Sequence, residues 1–244
     1  MPSATSAYAA KASITGKISS SSRWSMTICF SSGINFGTPH DGTVLVTKVK
    51  LRYNNAINPF DVDGVLMSAI SDTGPLITAF QSNSVDIMIA VVGQIIITPT
   101  CRSELVRHGW AEMLAQVGTA ISVQTLTQIE TMRAEAYTKQ IAFHPLSKDP
   151  EPINHLGEAE AMVLAQRSEF SHSAFLVDEQ AGRRVAFEIG LTVSGFAGIL
   201  LMAVDRNLLT PEQLRERLGL CKRLGTHYGD KLIEHTHQLA KRMK

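Results

Sequence analysis

The sequence predicts an α/β fold, a parallel sheet covered by helices on both faces. Three observations carry this. Short β-branched or apolar runs alternate with helical stretches from residue 67 onward. Those runs are apolar throughout rather than alternating, as strands buried on both faces must be. Two of them end on a carboxylate, Ile70-Ser71-Asp72 and Leu176-Val177-Asp178, at the strand tips where open α/β sheets place their ligands.

In order along the chain, Ser68–Ser71 reads as a first strand, and Gly74-Pro75 punctuates the turn into a helix reaching Gln81. Val85–Val92 is apolar and helical. Gln94–Ile97 is a strand by its isoleucine run. Thr98 is set to cap the next helix with Pro99 in its first turn, and that helix carries Glu104 to about His108. Residues 120–124 form a short strand, 125–137 an exposed helix, and 145–152 a Pro- and charge-rich loop. Gly157–Ala165 is apolar on nearly all sides and therefore a buried helix. Residues 174–178 form a strand, 179–189 a helix, 191–194 a strand and 196–205 a helix rich in small residues. Residues 211–220 and 227–244 form a helical tail.

The first 66 residues are different. They are Ser-rich and carry no Asp or Glu before Asp41. Most of this stretch lacks the pattern to bury a core and reads as disordered, although residues 43–52 alternate as a strand would. Three readings stay open: a dispensable tail, a mitochondrial or plastid transit peptide, or a true start at Met67.

Composition narrows the function. The chain has 244 residues, 44% hydrophobic and 18% charged, with a net charge of +1. That is ordinary globular composition, and it argues against a binder held to nucleic acid by overall charge alone. The three cysteines are far apart and fit neither a disulfide framework nor a zinc spacing, so a reducing compartment such as the cytoplasm is expected. No apolar run approaches the ~18–20 residues of a membrane span, so no membrane is expected as a partner.

Two acidic constellations compete. Phe60-Asp61-Val62-Asp63-Gly64-Val65 resembles the first motif of haloacid-dehalogenase-type phosphatases, with Asp61 as nucleophile and Asp63 as acid/base. However, the turn-formers Asn54-Asn55-Ala56-Ile57-Asn58-Pro59 precede it where a buried strand would be needed. The second set is Asp72, Glu104, Glu158 and Asp178, at strand tips or in the first turns of helices. Each alone also fits an ordinary helix-terminus charge. Together they have few cations nearby: between Glu151 and Glu179 stand six acids and only Arg167 as a Lys or Arg. Like charges that cannot neutralise one another call for a divalent cation, and oxygen ligands suit Mg²⁺ or Mn²⁺. Glu160, two residues from Glu158, points to a different face of its helix and reads as a support.

Four motifs, in order, resemble a PIN domain. They are Ser71-Asp-Thr-Gly-Pro-Leu-Ile77, Pro99-Thr-Cys-Arg-Ser-Glu-Leu105, Gly157-Glu-Ala-Glu-Ala161 and Leu176-Val-Asp-Glu-Gln-Ala-Gly-Arg-Arg-Val-Ala186. They are similar to the VapC-like branch with a G-E-A-E-A helix, over roughly residues 68 to 205. The resemblance implies a three-layer α/β/α fold and a metal-dependent endoribonuclease, the toxin of a toxin–antitoxin pair. It places the catalytic and metal-binding acids at Asp72, Glu104, Glu158 and Asp178, with Thr73 as the supporting hydroxyl. Gly74 stands where the family commonly has Ser. The implied partners are RNA, an antitoxin protein and a second copy in a homodimer. Arg183 and Arg184, one turn past Asp178, are candidate RNA contacts. From Arg206 on, nine Lys or Arg face four Asp or Glu, a tail suited to grip phosphates or dock an acidic partner. The expected organisation is an extension over 1–66, a PIN-like nuclease domain over 67–205 and a basic helical tail over 206–244.

Overall fold

The computed structural model describes residues 68–226 and 228–244. The expected strand over 43–52 and the Asp61–Asp63 motif lie outside the described residues. Five parallel strands form one sheet: β1 (Ser68–Ser71), β2 (Gln94–Ile97), β3 (Ile121–Val123), β4 (Ala174–Leu176) and β5 (Val193–Ser194), in the order β3-β2-β1-β4-β5. Ten α-helices accompany them among the described residues.

β1 leads through α1 (Thr73–Gln81) and α2 (Val85–Val92) to β2, then through α3 (Pro99–Arg107) and α4 (Ala111–Val117) to β3. The chain then turns back. α5 (Gln128–Ala142) and α6 (Leu156–Leu164) precede β4, and α7 (Gln180–Glu188) precedes β5. α8 (Phe196–Asp205), α9 (Pro211–Arg223) and α10 (Asp230–Arg242) complete it. α5, α6 and α7 pack against one another in one layer; α1, α2 and α8 pack in another, with α9 and α10 against α8. Between them the core holds Ile70, Ile95, Ile97, Phe175, Phe196 and Met162, all essentially solvent-free. The expected α/β fold with a central parallel sheet is what the chain adopts.

The strand order reverses between β1 and β4. Outward connections run one way from β1 and the other way from β4, so a crevice opens at their carboxyl ends. Asp72 and Asp178 follow those two strands.

Local chemistry explains the boundaries. Thr98 accepts from the Cys101 amide and Pro99 occupies the first turn of α3, as the sequence predicts. α5 starts at Gln128 rather than near 125, because Thr127 and Glu130 form a reciprocal capping box. It runs on to Ala142 because Ile141 and Ala142 are buried. α4 has no counterpart among the elements expected from the sequence. It buries no residue fully, so it has no apolar face of the usual width to announce it. Trp110 anchors its start by stacking on Phe80, with ring centroids 5.4 Å apart.

Candidate active site

The crevice is built from strand ends inward. Asp72 is the first residue after β1 and the N-cap of α1: its Oδ2 accepts from the Gly74 amide at 3.2 Å. Its own amide donates to the Leu176 carbonyl at 2.9 Å, fixing the β1 tip to the β4 tip. Asp178 lies two residues past β4. Its Oδ1 accepts from the Phe196 amide at the start of α8 (2.9 Å), and its Oδ2 from the Tyr228 hydroxyl (3.0 Å). A Cβ placed on Gly74 would lie 3.4 Å from Asp72 Oδ2 and 4.0 Å from Asp178 Cβ, so this glycine sits between the two acids.

Glu104 and Glu158 come in from the helices. Thr73 donates its hydroxyl to Glu104 Oε2 at 2.5 Å. The supporting hydroxyl thus orients Glu104, not Asp72. A Cβ on Gly157 would stand 3.2 Å from both Glu104 oxygens, so a side chain there would make the Glu104 carboxylate give by a few tenths of an ångström. Glu158 points across to α7, where a Cβ on Gly182 would be 1.7 Å from its Oε1. Asp72, Glu104 and Asp178 keep some solvent contact, whereas Glu158 is 5% exposed. Its Oε1 is buried with no hydrogen-bond partner among the described residues.

The electrostatics follow from this crowding. Burial pushes Asp72 up to about 6, against the lowering effect of the Gly74 and Thr73 amides; Glu104 and Asp178 add to the rise. Burial also raises Glu158, while His155 at 3.6 Å opposes it. Asp178 is raised by burial, with the Phe196 amide, the Tyr228 hydroxyl and Arg183 pulling the other way. No Lys or Arg forms an ion pair with Asp72, Glu104 or Glu158 among the described residues. Nearby Cys101 is buried with its thiol pushed up to about 12, so it stays a thiol and not a thiolate ligand.

An orphaned buried carboxylate oxygen and an all-oxygen acid set in which no Lys or Arg ion-pairs with Asp72, Glu104 or Glu158 among the described residues fit a hard divalent cation. Asp72, Glu104, Glu158 and Asp178 are the residues that would hold it.

A stability effect follows. An acid whose folded pKa lies above its unfolded value binds its proton more tightly in the folded chain. Asp72's contribution to the stability of the metal-free chain is therefore fully present below 3.8, its ordinary value, and is lost as pH rises through about 6. Partial solvent contact discounts the loss from Asp72 to about 1–2 kcal/mol. Thermal melts should show the metal-free chain melting several degrees lower at about pH 7.5 than at about pH 5. Added Mn²⁺ should recover the difference at the higher pH and do little at the lower.

The other predicted residues fall as follows. Glu160 is half-buried on α6, with its Oε2 enclosed and unpartnered among the described residues. Arg183 donates to the Val177 carbonyl at 3.4 Å and lies beside Asp178. Arg184 turns outward to Glu188 at 2.8 Å and over the Phe187 ring. Several basic residues of the tail hold the fold together. Arg206 donates to Val91, Arg217 to Ser82 and Asn83, and Lys222, Arg215 and Lys241 pair with Asp230, Glu234 and Glu212.

Sequence reasoning missed Tyr228, Gly182, His155 and Glu179. Tyr228 is fifty residues from the acid it touches, and no local pattern marks it. Changing Tyr228 to Phe removes one donor from Asp178 Oδ2, whose orientation then relaxes. Cation affinity should fall roughly 10-fold, with little change in helix content, as titration calorimetry alongside circular dichroism would show.

A parallel sheet with an acidic crevice at its switch point defines an α/β protein whose clustered carboxylates fit a divalent cation. A family model described as PIN domain matches residues 68–242, and the chain belongs to that family. PIN domains are generally nucleases, hydrolases of phosphodiester bonds, and typically use divalent metals. The matched stretch runs past residue 205 through α9 and α10, the segment that delivers Tyr228 to Asp178. No curated protein and no solved structure matches the chain. Among the described residues no helix is long and apolar enough to cross a membrane.

Proposed function

We propose that this chain is a metal-dependent endoribonuclease using Mg²⁺ or Mn²⁺, and that it serves as the toxin of a toxin–antitoxin pair. The observation that carries the nuclease reading is Glu158 Oε1, a buried carboxylate oxygen without a donor among the described residues, beside a crevice lined by three further acids. Such an oxygen is costly unless a cation meets it.

When bound, the cation supplies an activated water and charge relief on the phosphate. The chain's own residues do the positioning. Asp72 is held by the Gly74 amide, and Asp178 by Phe196 and Tyr228, so two carboxylates stand fixed across the switch point. Thr73 fixes Glu104, which would help hold the cation or orient the attacking water. Arg183, beside Asp178, is the cation best placed to meet an RNA phosphate at the crevice rim; Arg184 is engaged by Glu188.

The toxin role and its antitoxin partner rest on the likeness of the Gly157-Glu-Ala-Glu-Ala161 helix to the VapC-like branch; a homodimer is the assembly that likeness suggests. A catalytically weak PIN-fold module that binds nucleic acid or an antitoxin is the competing reading, and Gly74 and the long N-terminal extension favour it. A phosphatase using Asp61 and Asp63 would leave the four-acid crevice without a role.

The test is cleavage of end-labelled RNA by the full chain with Mn²⁺, with EDTA, and after Asp72→Asn. Cleavage that persists in EDTA rules out the carboxylate–cation chemistry. Activity that instead requires Asp61 points to the phosphatase. Growth arrest on expression, relieved by Asp72→Asn, is the result expected of a toxin.

A further inference from the structure

Beside the four-acid crevice lies a second convergence of donor atoms. His155 ends a single 3-10 turn, Pro152–His155, just before α6. Its Nδ1 faces Glu158 Oε2 at 3.6 Å and Glu179 Oε2 at 3.3 Å. Its Nε2 lies 2.9 Å from the Asp149 carbonyl oxygen. A carbonyl only accepts, so Nε2 carries a hydrogen. Hydrogen bonding to Glu158, with the Asp149 carbonyl and the charge of Glu179, pushes the ring up to about 9 against burial. In the metal-free chain a proton on Nδ1 therefore faces the two carboxylates, and a metal would take its place.

One ligand atom from each of His155, Glu158 and Glu179 lies within 4.8 Å of the others. Once that proton leaves, the Nδ1 lone pair and the two carboxylates are three acceptors around one point, which repel unless a cation joins them. Their spacing fits a metal ion. Bonds of about 2.0–2.2 Å from Zn²⁺ to nitrogen and oxygen set tetrahedral ligand atoms roughly 3.3–3.6 Å apart. The carbonyl on the far ring nitrogen is the partner that metal-bound imidazoles usually have. Glu158, which this cluster shares with the crevice, is 5% exposed, and its other oxygen has no hydrogen-bond partner among the described residues. Glu179, 35% exposed in its side chain, opens the cluster to solvent and gives a cation a route in.

We propose that His155, Glu158 and Glu179 form a second, nitrogen-containing position for a borderline divalent transition-metal ion of the Zn²⁺ class. It lies next to the oxygen-only position of Asp72, Glu104 and Asp178, and Glu158 serves both. Imidazole selects such ions over Mg²⁺. This inference rests on the proposed nuclease site only in sharing Glu158.

The test uses Co²⁺ as a visible probe for the Zn²⁺ class, titrated into the full-length chain. The wild type and Asp72→Asn should both show the strong absorption bands of low-coordinate Co²⁺. His155→Asn and Glu179→Gln should lose them, with affinity down on the order of 100-fold. A variant-free readout covers the case in which His155→Asn does not fold. In the wild-type chain with Co²⁺, proton NMR should show one exchangeable, hyperfine-shifted imidazole N–H, from Nε2. If a proton on Nδ1 fills the role instead, that resonance is absent and the proposal is overturned. Co²⁺ bands that require Asp72 and ignore His155 overturn it as well. A chain that fails to cleave RNA yet keeps the imidazole signature overturns the nuclease reading and leaves this position standing.

Discussion

Replacing Asp72 by Asn should reduce RNA cleavage on the order of 10³-fold, about 4 kcal/mol of transition-state stabilisation, without unfolding the chain. Two roles of Asp72 part company in this variant. As the N-cap of α1 it needs only an oxygen that accepts from the Gly74 amide, and Asn caps helices about as well as Asp. As a cation ligand it needs its charge. That charge is a burden to the metal-free fold, because burial and the neighbouring Glu104 and Asp178 push Asp72 up to about 6. The variant should therefore melt at or above the wild-type temperature without metal, and should lose most of the stabilisation that Mn²⁺ gives the wild type. A variant that melts far lower would mean that Asp72 is structural first, and the cleavage loss could then not be assigned to the site.

Some of this was legible in the sequence because the signals are local. Thr98-Pro99 starts a helix by its own hydrogen bonding, and the isoleucines of β2 need no partner to read as a buried strand. Asp72 and Asp178 could be paired as strand tips because strands ending on carboxylates share one edge of a parallel sheet. What the sequence could not give is who touches whom across the fold. Thr73 sits next to Asp72 in the chain but serves Glu104, because the first turn of α1 aims its hydroxyl toward α3. Arg183 and Arg184 are adjacent yet diverge, one toward Asp178 and one to Glu188, since neighbours on a helix project about 100° apart. Tyr228 reaches the site only because α9 and α10 fold back over α8, a tertiary fact with no local sign. His155 meets Glu158 only because the turn before α6 brings it there, a contact with no local sign.

Gly182→Ala is the second change with a large expected effect, and its value lies in a reversal of sign. Gly182 is in α7, where Ala would ordinarily stabilise a helix by about 1 kcal/mol. Here the added methyl would stand 1.7 Å from Glu158 Oε1 and 2.3 Å from its Cδ. Both atoms belong to the end of a rotatable side chain, so Glu158 swings aside and the fold survives. The helix gain is spent on moving a buried carboxylate, and the net change in stability should be zero or negative. The site should suffer far more, with cation affinity and cleavage each down roughly 100-fold or more, because a ligand displaced by an ångström or two no longer meets the ion. A double-mutant cycle separates the two effects. In a Glu158→Ala background the obstruction is gone, so adding Gly182→Ala should raise the melting temperature, the ordinary helix result. Equal stability changes in both backgrounds would mean that Gly182 and Glu158 do not touch, and the placement of Glu158 beside the crevice would be wrong.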